Sequence, residues 1–127
     1  MYSAAVLERV RNPQRVGALP DETPGVGVGQ AGDLDRGTLA RIWVRLEGAR
    51  IVEARFKVFG CSAAIAAGAW AAERLEGAAL ADVSTLRPEE IVKALALPDD
   101  RAHVAAIVVE AAQRAVAHAG EGTERER

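Results

Sequence analysis

Three residues have side chains suited to bond chemistry. Cys61 follows Gly60 where an alternating run gives way to an alanine-rich one. A thiol at such a strand-to-helix junction lies near free backbone N–H groups, and the helix dipole favours its thiolate. Asp33 follows Gly32 in a glycine-rich stretch, and His103 lies in the first turn or two of the last apolar-periodic segment. Each has a plain structural reading as well: a small buried hydrophobe, a turn or cap residue, a satisfied histidine. Their spacing fits no standard zinc pattern. Brought together, they would make either a metal site or a Cys–His nucleophile pair with Asp33 orienting the imidazole.

The elements that would position them follow from periodicity. Ser3 caps a short helix through Val10, and Asn12-Pro13 ends it. Between residues 16 and 35, prolines and glycines punctuate the chain, and Val26 and Val28 alternate with glycines. That stretch reads as either a short edge strand or an irregular loop. Residues 38–47 and 50–60 alternate apolar with polar across a glycine turn, which predicts a β-hairpin with Val52, Ala54, Phe56 and Val58 on one side. Residues 62–76 are mostly alanine and predict a helix closed by Gly77. Pro88 with Glu89 and Glu90 opens another, to about Leu95. Asp99 or Asp100 is expected to cap the last helix, with Val104, Ile107, Val108, Ala111, Ala115 and Val116 inward. The fold class is α+β, a small antiparallel sheet of about three strands covered on one face by helices.

The chain has 127 residues, of which 50% are hydrophobic and 27% charged, enough for one domain with its own core. We place that domain at 1–119 and a charged, mobile tail at 120–127. A formal charge of -2 and 4% aromatics argue against nucleic acid, which asks for a basic stripe or a stacking platform. One cysteine excludes an internal disulfide framework. No apolar run is long enough for a membrane helix, and Glu8, Arg9 and Arg11 break up the N-terminus as a signal segment. The expectation is a cytoplasmic protein without a membrane partner.

Longer stretches carry a resemblance. The run 54–66, Ala-Arg-Phe-Lys-Val-Phe-Gly-Cys-Ser-Ala-Ala-Ile-Ala, closely resembles the Ala-Arg-Phe-Lys-Thr-Phe-Gly-Cys-Gly-Ala-Ala-Ile-Ala run of iron–sulfur cluster assembly scaffolds of the IscU/NifU N-terminal type. Asn12-Pro13-Gln14-Arg15-Val16-Gly17 is similar to that family's Asn-Pro-Arg-Asn-Val-Gly signature. Ala31-Gly32-Asp33 stands at its first cluster loop, and Leu97-Pro98 with His103 fits the segment ending in His-Cys. The likeness runs from Met1 to about Ala117.

The resemblance implies a scaffold, not an enzyme, that receives sulfur and holds iron or zinc through three cysteines helped by an aspartate and a histidine. In this sequence the first cysteine position is Ala31 and the third is Val104, leaving Cys61, Asp33 and His103. A 2Fe–2S cluster wants about four protein ligands. The implied cofactor is therefore a cluster shared across a dimer, a single Zn or Fe ion on these three residues, or no metal at all. Cys61 would accept sulfur and ligate, His103 would ligate or accept a proton, and Asp33 would be a labile ligand. The implied partners are a cysteine desulfurase and other assembly proteins, with the chain a monomer or weak homodimer. The alternative is a cluster-free module docking on such a partner; a thiol-dependent hydrolase is a more distant one. The family's Leu-Pro-Pro-Val-Lys docking peptide for a dedicated Hsp70-type chaperone reads Leu97-Pro98-Asp99-Asp100-Arg101. Two carboxylates there are costly to desolvate, so that chaperone is not an expected partner.

Overall fold

The computed structural model describes residues 2–125, with side chains through residue 121. Helix α1 spans Ala4–Arg11, and the Ser3 hydroxyl accepts a hydrogen bond from the Val6 N–H, as a cap should. Strands β1 (Val26–Asp33), β2 (Thr38–Glu47) and β3 (Arg50–Phe59) follow, with a 3-10 turn at Leu34–Arg36 between the first two. Four helices complete the chain: α2 (Ser62–Leu75), α3 (Leu80–Ser84), α4 (Pro88–Leu95) and α5 (His103–Arg125). The strands form one antiparallel sheet in the order β1-β2-β3.

The glycine-rich stretch is thus a strand and not a loop. Its glycines serve the helix above it. A Cβ on Gly27 would overlap the backbone of Ala115 and Ala119, and one on Gly29 the backbone of Ala111 and Ala115. Helix α5 therefore lies directly on β1, at a distance that only glycine allows.

One face of the sheet is buried. Ala40, Ile42, Val44 and Leu46 of β2 point to it, flanked by Ala31 of β1 and by Ala54 and Phe56 of β3. Helices α2 and α5 pack side by side on this face; alanines let α2 approach, and Gly68 admits Phe56 and Val58. The hairpin alternation shifts once. Register slips between Arg45 and Leu46, so Ile51, not Val52, is the residue sealed into the core. A bulge inserts one unpaired residue and so reverses the phase beyond it. The opposite face is polar, with Trp43 shielded beneath the cations of Arg41 and Lys57, 5.9 and 6.0 Å from its ring centre.

The Asn-Pro segment has a structural task. Residues 15–17 run beside β3: the Phe56 N–H donates to the Arg15 carbonyl and the Gly17 N–H to the Phe56 carbonyl, each at 3.0 Å. This covers the outer edge of β3. The outer edge of β1 is covered from α5, where His118 Nδ1 accepts the Val28 N–H at 3.0 Å and Arg114 donates to the Gln30 carbonyl at 2.6 Å.

One expectation is corrected near the end of the chain. Asp99 and Asp100 do not cap the last helix; they lie in a 3-10 turn, Asp99–Arg101, without a side-chain capping bond. Helix α5 continues past Ala119 to Arg125, through most of the segment set apart as a tail. Residues 126 and 127 of that segment lie outside the described residues. Among the described residues, no helix is long and apolar enough to cross a membrane.

Candidate functional site

The sheet and helices converge at one end of the molecule, where β2 starts, β3 passes into α2, and the 3-10 turn passes into α5. A cleft of about 340 Å³ opens there, lined by Arg36, Thr38, Cys61, Asp100, Arg101 and His103. Cys61 is the N-cap residue of α2 and is half-buried. Its thiol makes no capping hydrogen bond. His103 is the first residue of α5 and is half-buried as well. Distant in the chain, the thiol and the imidazole thus line a common space.

Asp33 does not line it. The carboxylate lies at the rim, 3.5 Å from Arg36 Nε. Among the described residues, no group of three or more His, Cys, Asp or Glu side chains is placed to hold a metal ion. The two positions where the resemblance expected cysteine face inward: Ala31 is 4% exposed and Val104 fully buried. Both are packed into the apolar core.

Four cleft residues were not singled out as site residues in the sequence: Arg36, Thr38, Asp100 and Arg101. The available signal was proximity, since Arg36 and Thr38 closely follow Asp33, and Arg101 lies just before His103. Arg101 is tied to the N-terminus. Its Nε donates to the Tyr2 hydroxyl at 3.2 Å, and Nη1 lies 3.3 Å from Asp100 Oδ2. The bond to Tyr2 above all, then the charges of Tyr2 and Asp100 and lastly that of the Cys61 thiolate, raise the Arg101 pKa, against a small opposing effect of burial. The guanidinium is thus in electrostatic reach of the thiol.

The fold is thus a small α+β domain in which a half-buried cysteine at the start of a sheet-packed helix lines the same cleft as a histidine. The model of the NifU-like N terminal domain matches residues 1–123, and the chain belongs to that family. Among its relatives is the iron-sulfur cluster assembly scaffold protein IscU of Azotobacter vinelandii, 34% identical over 116 residues that cover 91% of each chain. Another is iron sulfur cluster assembly protein 1, mitochondrial, of Schizosaccharomyces pombe, 34% identical over 93% of this chain. The match spans 62% of that longer protein. The fold is shared with the crystal structure of a NifU-like N-terminal protein from Brucella abortus, at a TM-score of 0.73, 14% identity and 94% coverage of both chains.

Proposed function

We propose that this protein acts in iron–sulfur cluster assembly as a sulfur-receiving scaffold with half a ligand set. Cys61 is the sulfur acceptor, and Cys61 with His103 forms the pair of ligands that one chain offers to cluster or metal cargo. The observation that carries this reading is the convergence of these two side chains in one cleft of a domain whose relatives are named as assembly scaffolds. Two ligands do not hold a 2Fe–2S cluster, which asks for about four. The remaining ligands come from a second copy or from a partner protein. Asp33, at the rim and facing Arg36, joins only when that ion pair opens.

The chemistry assigned to this chain is acceptance, not turnover, which makes it a scaffold and not an enzyme. The Cys61 thiolate attacks the outer sulfur of a persulfide on a cysteine desulfurase; the donor cysteine leaves as thiolate and Cys61 becomes the persulfide. The α2 N-terminus and the Arg101 guanidinium bring positive charge to the cleft in which this sulfur reacts. Incubation with a desulfurase and cysteine, followed by intact-mass spectrometry, is expected to show the mass of one added sulfur on the native chain and none on Cys61→Ser. An unmodified Cys61 would overturn the assignment.

One observation favours a second reading, that of a cluster-free module docking on assembly partners. Ala31 and Val104 are buried apolar groups that cannot ligate. Under that reading the protein binds a desulfurase yet stays colourless after anaerobic incubation with iron and sulfide.

The Hsp70-type chaperone remains outside the proposed partners. Leu97 is 7% exposed and belongs to the core, while Asp99 and Asp100 stand in the solvent. A peptide of residues 96–103 is expected to leave such a chaperone's substrate groove unoccupied in fluorescence-anisotropy titrations, because its carboxylates would be desolvated without partners.

A further inference from the structure

The cleft holds hydrogen-bond donors that sulfur receipt does not use. Thr38, the first residue of β2, lines it and is 2% exposed. Its hydroxyl has no hydrogen-bond partner among the described residues. Among those residues, no side-chain polar atom sealed from solvent is left unpaired, so this hydroxyl must open to the cleft and not into the core. It sits beside the strand-to-helix junction, since a Cβ on Gly60 would lie 3.4 Å from Thr38 Oγ1.

Other donors point the same way. Helix α2 is 14 residues long and begins at this point, with no side-chain cap and no acidic residue in its first turn. The first-turn amides therefore lack an acceptor from a capping side chain, and the dipole places partial positive charge on them. Arg36 is committed only to a loose contact with Asp33, in a pair whose side chains are 58% and 38% exposed. Arg101 uses Nε on Tyr2 and Nη1 on Asp100, which leaves Nη2 without a partner among the described residues. The two carboxylates balance the two guanidiniums in formal charge, so directed donors, and not net charge, must supply selectivity. Exposed ion pairs of this kind contribute little and open readily to a better acceptor.

We propose that this cleft binds a small tetrahedral oxyanion of the phosphate or sulfate class, held by the Thr38 hydroxyl, the first-turn amides of α2 and the guanidiniums of Arg36 and Arg101. Its acceptor oxygens match donors that the described residues leave unpaired or hold only in exposed ion pairs. The bound anion lies against Cys61 and restricts access to the thiol. This site does not depend on cluster or metal cargo.

The test is a titration of the full chain with inorganic phosphate and, separately, sulfate, with chloride at matched ionic strength as the control. Amide shifts of Ser62, Ala63 and Ala64 are followed by nuclear magnetic resonance. Saturable binding of one anion per chain is expected, with alkylation of Cys61 by iodoacetamide slowed in parallel. Thr38→Val should weaken binding about tenfold, the loss of one hydrogen bond to a charged group. It should melt no lower than the native chain in chloride, because the lost hydroxyl has no partner. Arg36→Gln should weaken binding comparably and serves if Thr38→Val does not fold. Non-saturating shifts that chloride reproduces, or affinity unchanged in both variants, would mean an adventitious ion only and overturn the proposal. Cys61→Ser separates this inference from sulfur receipt: it should keep the anion and lose the added sulfur.

Discussion

Glu76 shows how a single side chain fixes the frame of the site from a distance. Burial alone would raise its pKa, but the hydrogen bond from the Ala54 N–H, then that from Arg15 and the charges of Arg15 and Arg55, hold it below the ordinary 4.5. The carboxylate thereby joins the residue after α2 to the middle of β3 and to the segment covering that strand's edge. The other end of α2 carries Cys61. A carboxyl whose folded pKa is depressed contributes stability above its unfolded value and loses it as pH falls through the folded one. Glu76→Gln is therefore expected to cost about 1.5 kcal/mol in urea melts near pH 7. The difference from the native chain should shrink progressively below about pH 4.5. A gap that stays constant into acid would show that charge plays no part.

Among the elements, β1 is held by what it lacks. Gly27 and Gly29 leave room for the α5 backbone, and any side chain would have to displace it. Gly29→Ala is expected to destabilise the domain by about 3 kcal/mol in thermal or chemical melts, since backbone atoms cannot give way as a flexible side chain can. Gly120→Ala, within α5 and with open space at its Cβ, should instead gain about 0.8 kcal/mol. The same glycines explain why β1 was ambiguous in the sequence. Alternating valine and glycine satisfies the period of a strand and the composition of a loop equally, and only the long-range contact with α5 decides between them. The hairpin β2–β3 was legible because Ile42, Val44, Ala54 and Phe56 keep strict alternation. The exception, Ile51 in place of Val52, comes from a bulge whose position is set by cross-strand packing and by no local pattern.

For the whole molecule, the decisive feature is where the ends of its elements meet. Neither the composition nor the spacing of Cys61 and His103 foretells that they share a cleft; the resemblance of the 54–66 run and of the segment from Leu97 to His103 supplied that expectation, and both residues line the cleft. Asp33 stood in the same expectation and lies at the rim, because the 3-10 turn after β1 brings Arg36 round to meet it. Ala31 and Val104, at the two positions where the resemblance expected cysteine, belong instead to the apolar core. On the proposed reading, one chain presents a thiol, an imidazole and donors for an anion, and another chain supplies the rest of a ligand set.

The most direct test of that dependence is anaerobic reconstitution with iron and sulfide, followed by native mass spectrometry of each oligomeric fraction. The half-site reading predicts cluster iron only in fractions where two chains, or the chain and a partner, are associated, and none in Cys61→Ser. A monomer carrying a complete 2Fe–2S cluster on this chain alone would contradict it.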